Sequence, residues 1–146
     1  MFYKNYLYEQ IRLASLSKKI TSEIFTLDKK EEQGFNFGDK EFLVTFDDGP
    51  SISNTQKIIE KLNSMDINAI FFVLGENLEK VVKKDKRNSE LKNMYKNMCV
   101  GSHGFIHKPF PKLNDWENDY EKTKNLILDN NLQGFQKQEI YFRPPY

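Results

Sequence analysis

A chain of 146 residues is long enough for one domain with its own core and marginal for two. With 38% apolar and 29% charged residues, 12 Phe and 7 Tyr, its composition is globular rather than disordered. A formal net charge of +1 excludes strong electrostatic attraction to nucleic acid or to an anionic membrane, and Cys99, the sole cysteine, excludes an intrachain disulfide.

Apolar residues at Tyr3, Leu7, Ile11 and Ala14, with Tyr6 and Leu13 beside them, predict an amphipathic helix running to about Lys19. Lys4, Glu9 and Arg12 interrupt the apolar stretch a signal peptide needs, and no segment reaches the ~18 uninterrupted apolar residues of a membrane span. A cytoplasmic chain without a membrane span is the default expectation. The charged run Lys29-Lys30-Glu31-Glu32-Gln33-Gly34 reads as a linker, so residues 1–40 are taken as a helical extension and residues 41–146 as the main domain.

The main domain opens with Glu41-Phe42-Leu43-Val44-Thr45-Phe46, an apolar run that predicts a strand. It ends on Asp47-Asp48-Gly49-Pro50, where two adjacent carboxylates repel each other and call for a nearby cation. Ser53 or Asn54 is expected to cap a helix carrying Ile58, Leu62 and Met65 on one face. Ala69 to Leu74 is apolar throughout and predicts a strand covered on both faces, as in a parallel sheet. Leu78, Val81 and Val82 follow, then a polar break and Leu91, Met94, Tyr95 and Met98 at helical spacing, before a short third strand at Cys99–Ser102. Asn114 and Glu117 have capping-box spacing and predict a helix to about Asn130; Glu139–Phe142 reads as a fourth strand running into Arg143-Pro144-Pro145-Tyr146. Strands alternating with helices imply an α/β fold with about four parallel strands.

In such folds reactive groups gather at the C-terminal strand ends, which here carry Asp47-Asp48, His103 to His107, and Arg143. His103 and His107 are the only histidines, in a segment that Gly104 and Pro109 shape as a strand-to-loop bend. Two imidazoles and one Asp form the nitrogen and oxygen ligand set of a catalytic Zn²⁺ site with positions left for water and substrate. Arg143, stiffened by two following prolines, is placed to orient the carboxylate that does not bind metal.

Three motifs carry a family resemblance. Thr45-Phe46-Asp47-Asp48-Gly49-Pro50, His103-Gly104-Phe105-Ile106-His107 and Arg143-Pro144-Pro145-Tyr146 resemble the first three motifs of the polysaccharide deacetylases, the NodB-homology group or carbohydrate esterase family 4. The resemblance covers about Glu41 onward. It implies a distorted, here partial, (β/α) barrel that hydrolyses N-acetyl groups on an N-acetylated glycan such as peptidoglycan. It implies Asp47 as general base, Asp48, His103 and His107 as ligands of a divalent metal, commonly Zn²⁺, Arg143 as the group positioning Asp47, and the Tyr146 backbone N–H as an oxyanion donor. Where the family usually has Ser or Thr after the first histidine this chain has Gly104, which implies a looser ligand loop.

The family's later motifs, which line the acetyl pocket and supply the general acid, have no counterpart here. The chain is therefore expected to be the N-terminal portion of a domain of about 250 residues. Its unclosed sheet edge is expected to favour self-association or a complementing C-terminal fragment. Two alternatives stand beside the deacetylase: a non-catalytic remnant that binds metal or sugar, and a hydrolase of other C–N bonds.

Overall fold

The computed structural model describes residues 43–84, 86–110, 112–134 and 140–146. The predicted N-terminal helix, the linker and Glu139 lie outside the described residues. All but one of the described residues belong to a compact unit, Phe42–Pro145; Tyr146 falls outside it.

The apolar runs become strands and the amphipathic runs helices, in the order β1 (Thr45–Gly49), α1 (Ile52–Ser64), β2 (Ile70–Val73), α2 (Gly75–Glu79), a π-helical turn (Lys80–Lys84), α3 (Asn88–Met94), β3 (Cys99–Ser102) and α4 (Leu113–Asp129). The three strands form a parallel sheet in the order β1-β2-β3. Parallel neighbours need a crossover, and helices occupy both crossovers. Phe46, Phe71 and Val100 stand abreast, as do Asp47, Phe72 and Gly101.

Because side chains alternate along a strand, these two rows lie on opposite faces. The first joins the core: Phe71, Val73 and Val100 pack with Ile59 and Leu62 of α1, Leu78 of α2, Leu91 of α3 and Ile127 of α4. Phe46 stacks on Phe71 with ring centroids 4.9 Å apart. The other row carries Asp47 and is the face on which chemistry can be built. No described helix is long and apolar enough to cross a membrane.

The local differences from expectation have physical causes. Ser51, not Ser53 or Asn54, is the N-cap of α1, and its backbone N–H donates to Thr55 Oγ1 at 3.0 Å. Helix α4 starts at Leu113 after an N-cap at Lys112, so Asn114 lies inside it and no capping box forms. Its entry is set by packing, with the Trp116 indole donating to the Phe110 carbonyl at 3.0 Å and lying edge-on to Phe110 and Phe142.

Met98 lies beyond the end of α3 and fills the core from the turn before β3. Among the described residues, the expected fourth strand is represented by one parallel bridge, Phe142 with Ser102. The Ser102 N–H donates to the Tyr141 carbonyl at 2.7 Å and the Arg143 N–H to the Ser102 carbonyl at 3.0 Å. Pro144 and Pro145 have no N–H with which to extend this ladder.

Candidate active site

Asp47 and Asp48 leave β1 in different directions because the strand bulges between them. Asp47 pairs with Phe72 and Gly49 with Val73, so Asp48 is the extra residue, with a left-handed backbone (φ 68°). The Asn77 side-chain amide of α2 donates to the Asp48 carbonyl at 2.9 Å and holds the bulge. Two neighbouring carboxylates therefore face different partners instead of each other.

Asp47 faces Arg143. Arg143 Nη1 donates to Asp47 Oδ1 at 2.8 Å and to Thr45 Oγ1 at 2.9 Å, while the guanidinium lies 4.2 Å from the Phe72 ring centroid. The ring has room because residue 101 is glycine: a Cβ there would come within 2.7 Å of Phe72 Cδ1 and 2.8 Å of the Tyr141 carbonyl. Arg143 thus joins the start of the chain's last motif to β1, across 96 residues of sequence.

Asp48 faces both histidines. Its Oδ1 lies 3.6 Å from His103 Nε2 and 3.5 Å from His107 Nε2, and one ligand atom from each of the three residues falls within 4.8 Å of the others. The His103 Nδ1 lies 2.8 Å from the Arg143 carbonyl oxygen, which can only accept. Nδ1 therefore carries a proton, and in the neutral ring Nε2 is left as an acceptor facing Asp48. Two acceptors separated by more than a hydrogen-bond length are stable face to face when a cation lies between them. Adjacent ligands on a tetrahedral Zn²⁺ with bonds of about 2.1 Å are themselves about 3.4 Å apart, so the donor set fits such an ion in its chemistry and in the two separations from Asp48 to the imidazoles. His103 is buried at 4% exposure while the Asp48 side chain is 64% exposed, which anchors the site on one side and opens it on the other.

Two groups in the frame of the site carry no signal in the sequence. Asn77 holds the bulge, and Asp119 of α4 accepts the Phe105 and Ile106 backbone N–H groups between the two histidines. Burial pushes the Asp119 carboxyl above its ordinary range, against the pull of those amides and of Lys122 and Lys108. Both residues lie in helices whose polar positions read as solvent-facing, and their partners are backbone atoms that no residue pattern reveals. Beside Gly104, where the resemblance implied a looser ligand loop, the Asp119 carboxylate accepts from the N–H groups of the next two residues. Tyr146, with φ 75° and 75% exposed, lies outside the unit that carries these groups.

Residues 35–146 match the family model described as polysaccharide deacetylase. The peptidoglycan-N-acetylglucosamine deacetylase of Bacillus cereus is 35% identical over 108 residues, covering 73% of this chain and 36% of that protein. The peptidoglycan-N-acetylglucosamine deacetylase PgdA of Listeria monocytogenes is 34% identical over 113 residues, covering 73% of this chain and 22% of that protein. Among solved structures, the Bc1960 peptidoglycan N-acetylglucosamine deacetylase superposes with a TM-score of 0.55 at 31% identity, covering 71% of this chain and 45% of that one. The chain thus spans between about a fifth and just over a third of the length of these two curated relatives.

Proposed function

We propose that this chain, which belongs to the polysaccharide deacetylase family, carries the metal and base half of a hydrolase that removes N-acetyl groups from a peptidoglycan-like glycan. The observation that carries this reading is the splitting of the Asp47-Asp48 pair, one carboxylate on Arg143 and the other on two imidazoles. Asp48, His103 and His107 would hold a divalent cation, with Zn²⁺ the first choice for this ligand set. When bound, that cation supplies Lewis acidity toward the amide carbonyl and the attacking water.

The protein's own groups do the rest. Asp47, ionised and steered by Arg143, takes a proton from the water as its oxygen adds to the amide carbon. The C–N bond then breaks, acetate leaves, and the sugar amine takes up a proton. By family resemblance, the Tyr146 N–H is assigned to the oxyanion. A glycan of this kind would be met at the cell envelope rather than in the cytoplasm taken as the default above. The open sheet edge beside Phe142 would admit a second copy of this chain or a complementing C-terminal fragment, and sedimentation velocity checks the first of these.

Two measurements test the reading. Calorimetry with Zn²⁺ is expected to show stoichiometric uptake that Asp48→Ala or His103→Ala abolishes; a folded wild-type chain that takes up no cation rejects the site. Acetate release from N-acetylglucosamine oligomers is expected to fall about 10²–10⁴-fold in Asp47→Asn, with cation uptake kept. Uptake without any acetate release by the wild-type chain assigns it to the non-catalytic binding alternative.

A further inference from the structure

Asp119 neither ligates in the site above nor moves a proton in it. Yet it is 8% exposed and sits against the segment that carries both imidazoles. Between His103 and His107 the backbone is paired on every side. The Gly104 N–H donates to Ser102 Oγ at 3.2 Å, and the Phe105 and Ile106 N–H groups both go to the Asp119 carboxylate. The Gly104 and Phe105 carbonyls accept from the first two N–H groups of α2, Gly75 at 3.0 Å and Glu76 at 2.9 Å. Only the Asp119 contact in this set comes from a side chain more than two residues away in sequence.

Gly104 completes the fit. Its backbone is left-handed (φ 85°), and a Cβ there would lie 2.5 Å from Asp119 Oδ2. The carboxylate occupies the place that a side chain at 104 would take, so the glycine and the aspartate require each other. Lys122, whose Nζ is 3.2 Å from the Phe105 ring centroid, covers the same loop from α4.

From this geometry we propose that Asp119 is the positioning residue of the cation site: by gathering the Phe105 and Ile106 amides it sets the spacing and direction of His103 and His107. The proposal rests on the reading of Asp48, His103 and His107 as cation ligands. An outer partner that orients ligands in this way typically changes metal affinity by about 10–100-fold when it is removed.

The test uses the full 146-residue chain, stripped with chelator and titrated with Zn²⁺ by calorimetry and with Co²⁺ by visible absorption. Asp119→Ala and Asp119→Asn are compared with wild type and with Glu117→Gln, an exposed position on the same helix. Both Asp119 variants are expected to bind Zn²⁺ about 10–100-fold more weakly and to shift the Co²⁺ d–d bands, with Glu117→Gln unchanged. Asp119→Asn preserves volume and packing, so its circular dichroism should match wild type even where Asp119→Ala fails to fold. Gly104→Ala, which pushes on the carboxylate from the loop side, should shift the same bands. A folded Asp119→Asn with wild-type affinity and Co²⁺ spectrum overturns the positioning role alone. Absence of any uptake by wild type overturns the cation reading and this proposal with it.

Discussion

Arg143 shows what one side chain decides here. A planar fork can bond Asp47 and Thr45 from one nitrogen while its face rests on Phe72, and a lysine ammonium cannot do both. Arg143→Lys is therefore expected to leave Zn²⁺ affinity unchanged and to lower kcat by about 10²-fold, the cost of a base misplaced by an ångström. Steady-state kinetics beside calorimetry check this, and a loss of cation affinity instead would place Arg143 in the ligand frame.

Tyr95 is the opposite case, chemically prominent but idle. Its side chain is fully buried, burial pushes its hydroxyl far above the usual phenol range, and that hydroxyl has no hydrogen-bond partner among the described residues. Removing an unsatisfied buried hydroxyl is nearly neutral or stabilising, so Tyr95→Phe should raise stability by up to about 1 kcal/mol in urea melts; a clear loss would reveal a partner for the hydroxyl. At this scale the residues that converge here were legible in the sequence, because paired carboxylates, clustered histidines and an arginine before two prolines are unusual. Asn77 and Asp119 were not, because asparagine and aspartate on a helix surface ordinarily face water.

Among the elements, the end of β1 does the most with the least material. A one-residue bulge, held by Asn77, turns adjacent carboxylates to separate tasks. Asn77→Ala removes a partly solvated bond and is expected to cost about 0.5–1 kcal/mol, but to weaken Zn²⁺ binding because Asp48 then loses its aim. The two effects are read separately, by urea melts and by calorimetry. On β3, Gly101→Ala sets a Cβ against Phe72 and the Tyr141 carbonyl. Overpacking of this kind typically costs about 1–3 kcal/mol, and here it should also lower kcat by displacing the ring that supports Arg143. The positions of β2 and β3 and the α/β alternation followed from continuous apolar runs, whereas β1 runs on past Phe46 to Gly49 and the caps of α1 and α4 moved by two or three residues, since backbone and tryptophan contacts outweigh local preference there.

At the largest scale, the site stitches together segments that would otherwise be independent: β1, the loop after β3 and the Arg143 segment meet across the C-terminal end of a three-stranded sheet. A cation that binds only this folded arrangement stabilises it by mass action, by about 2.7 kcal/mol at a free concentration one hundred times Kd. Thermal melts should therefore rise with added Zn²⁺, fall back with chelator, and show no such shift in His107→Ala; an identical shift in that variant would place the ion elsewhere. The sequence by itself determined the alternation of strands and helices, which unusual residues gather at the strand ends, and the family, because these depend on side-chain chemistry and on apolar periodicity along the chain. Only the tertiary structure decided which carboxylate faces which partner, that Asn77 and Asp119 frame the site, and that the fourth strand is represented, among the described residues, by one bridge. Those outcomes depend on backbone hydrogen bonds between distant segments, and a backbone amide or carbonyl is the same in every residue.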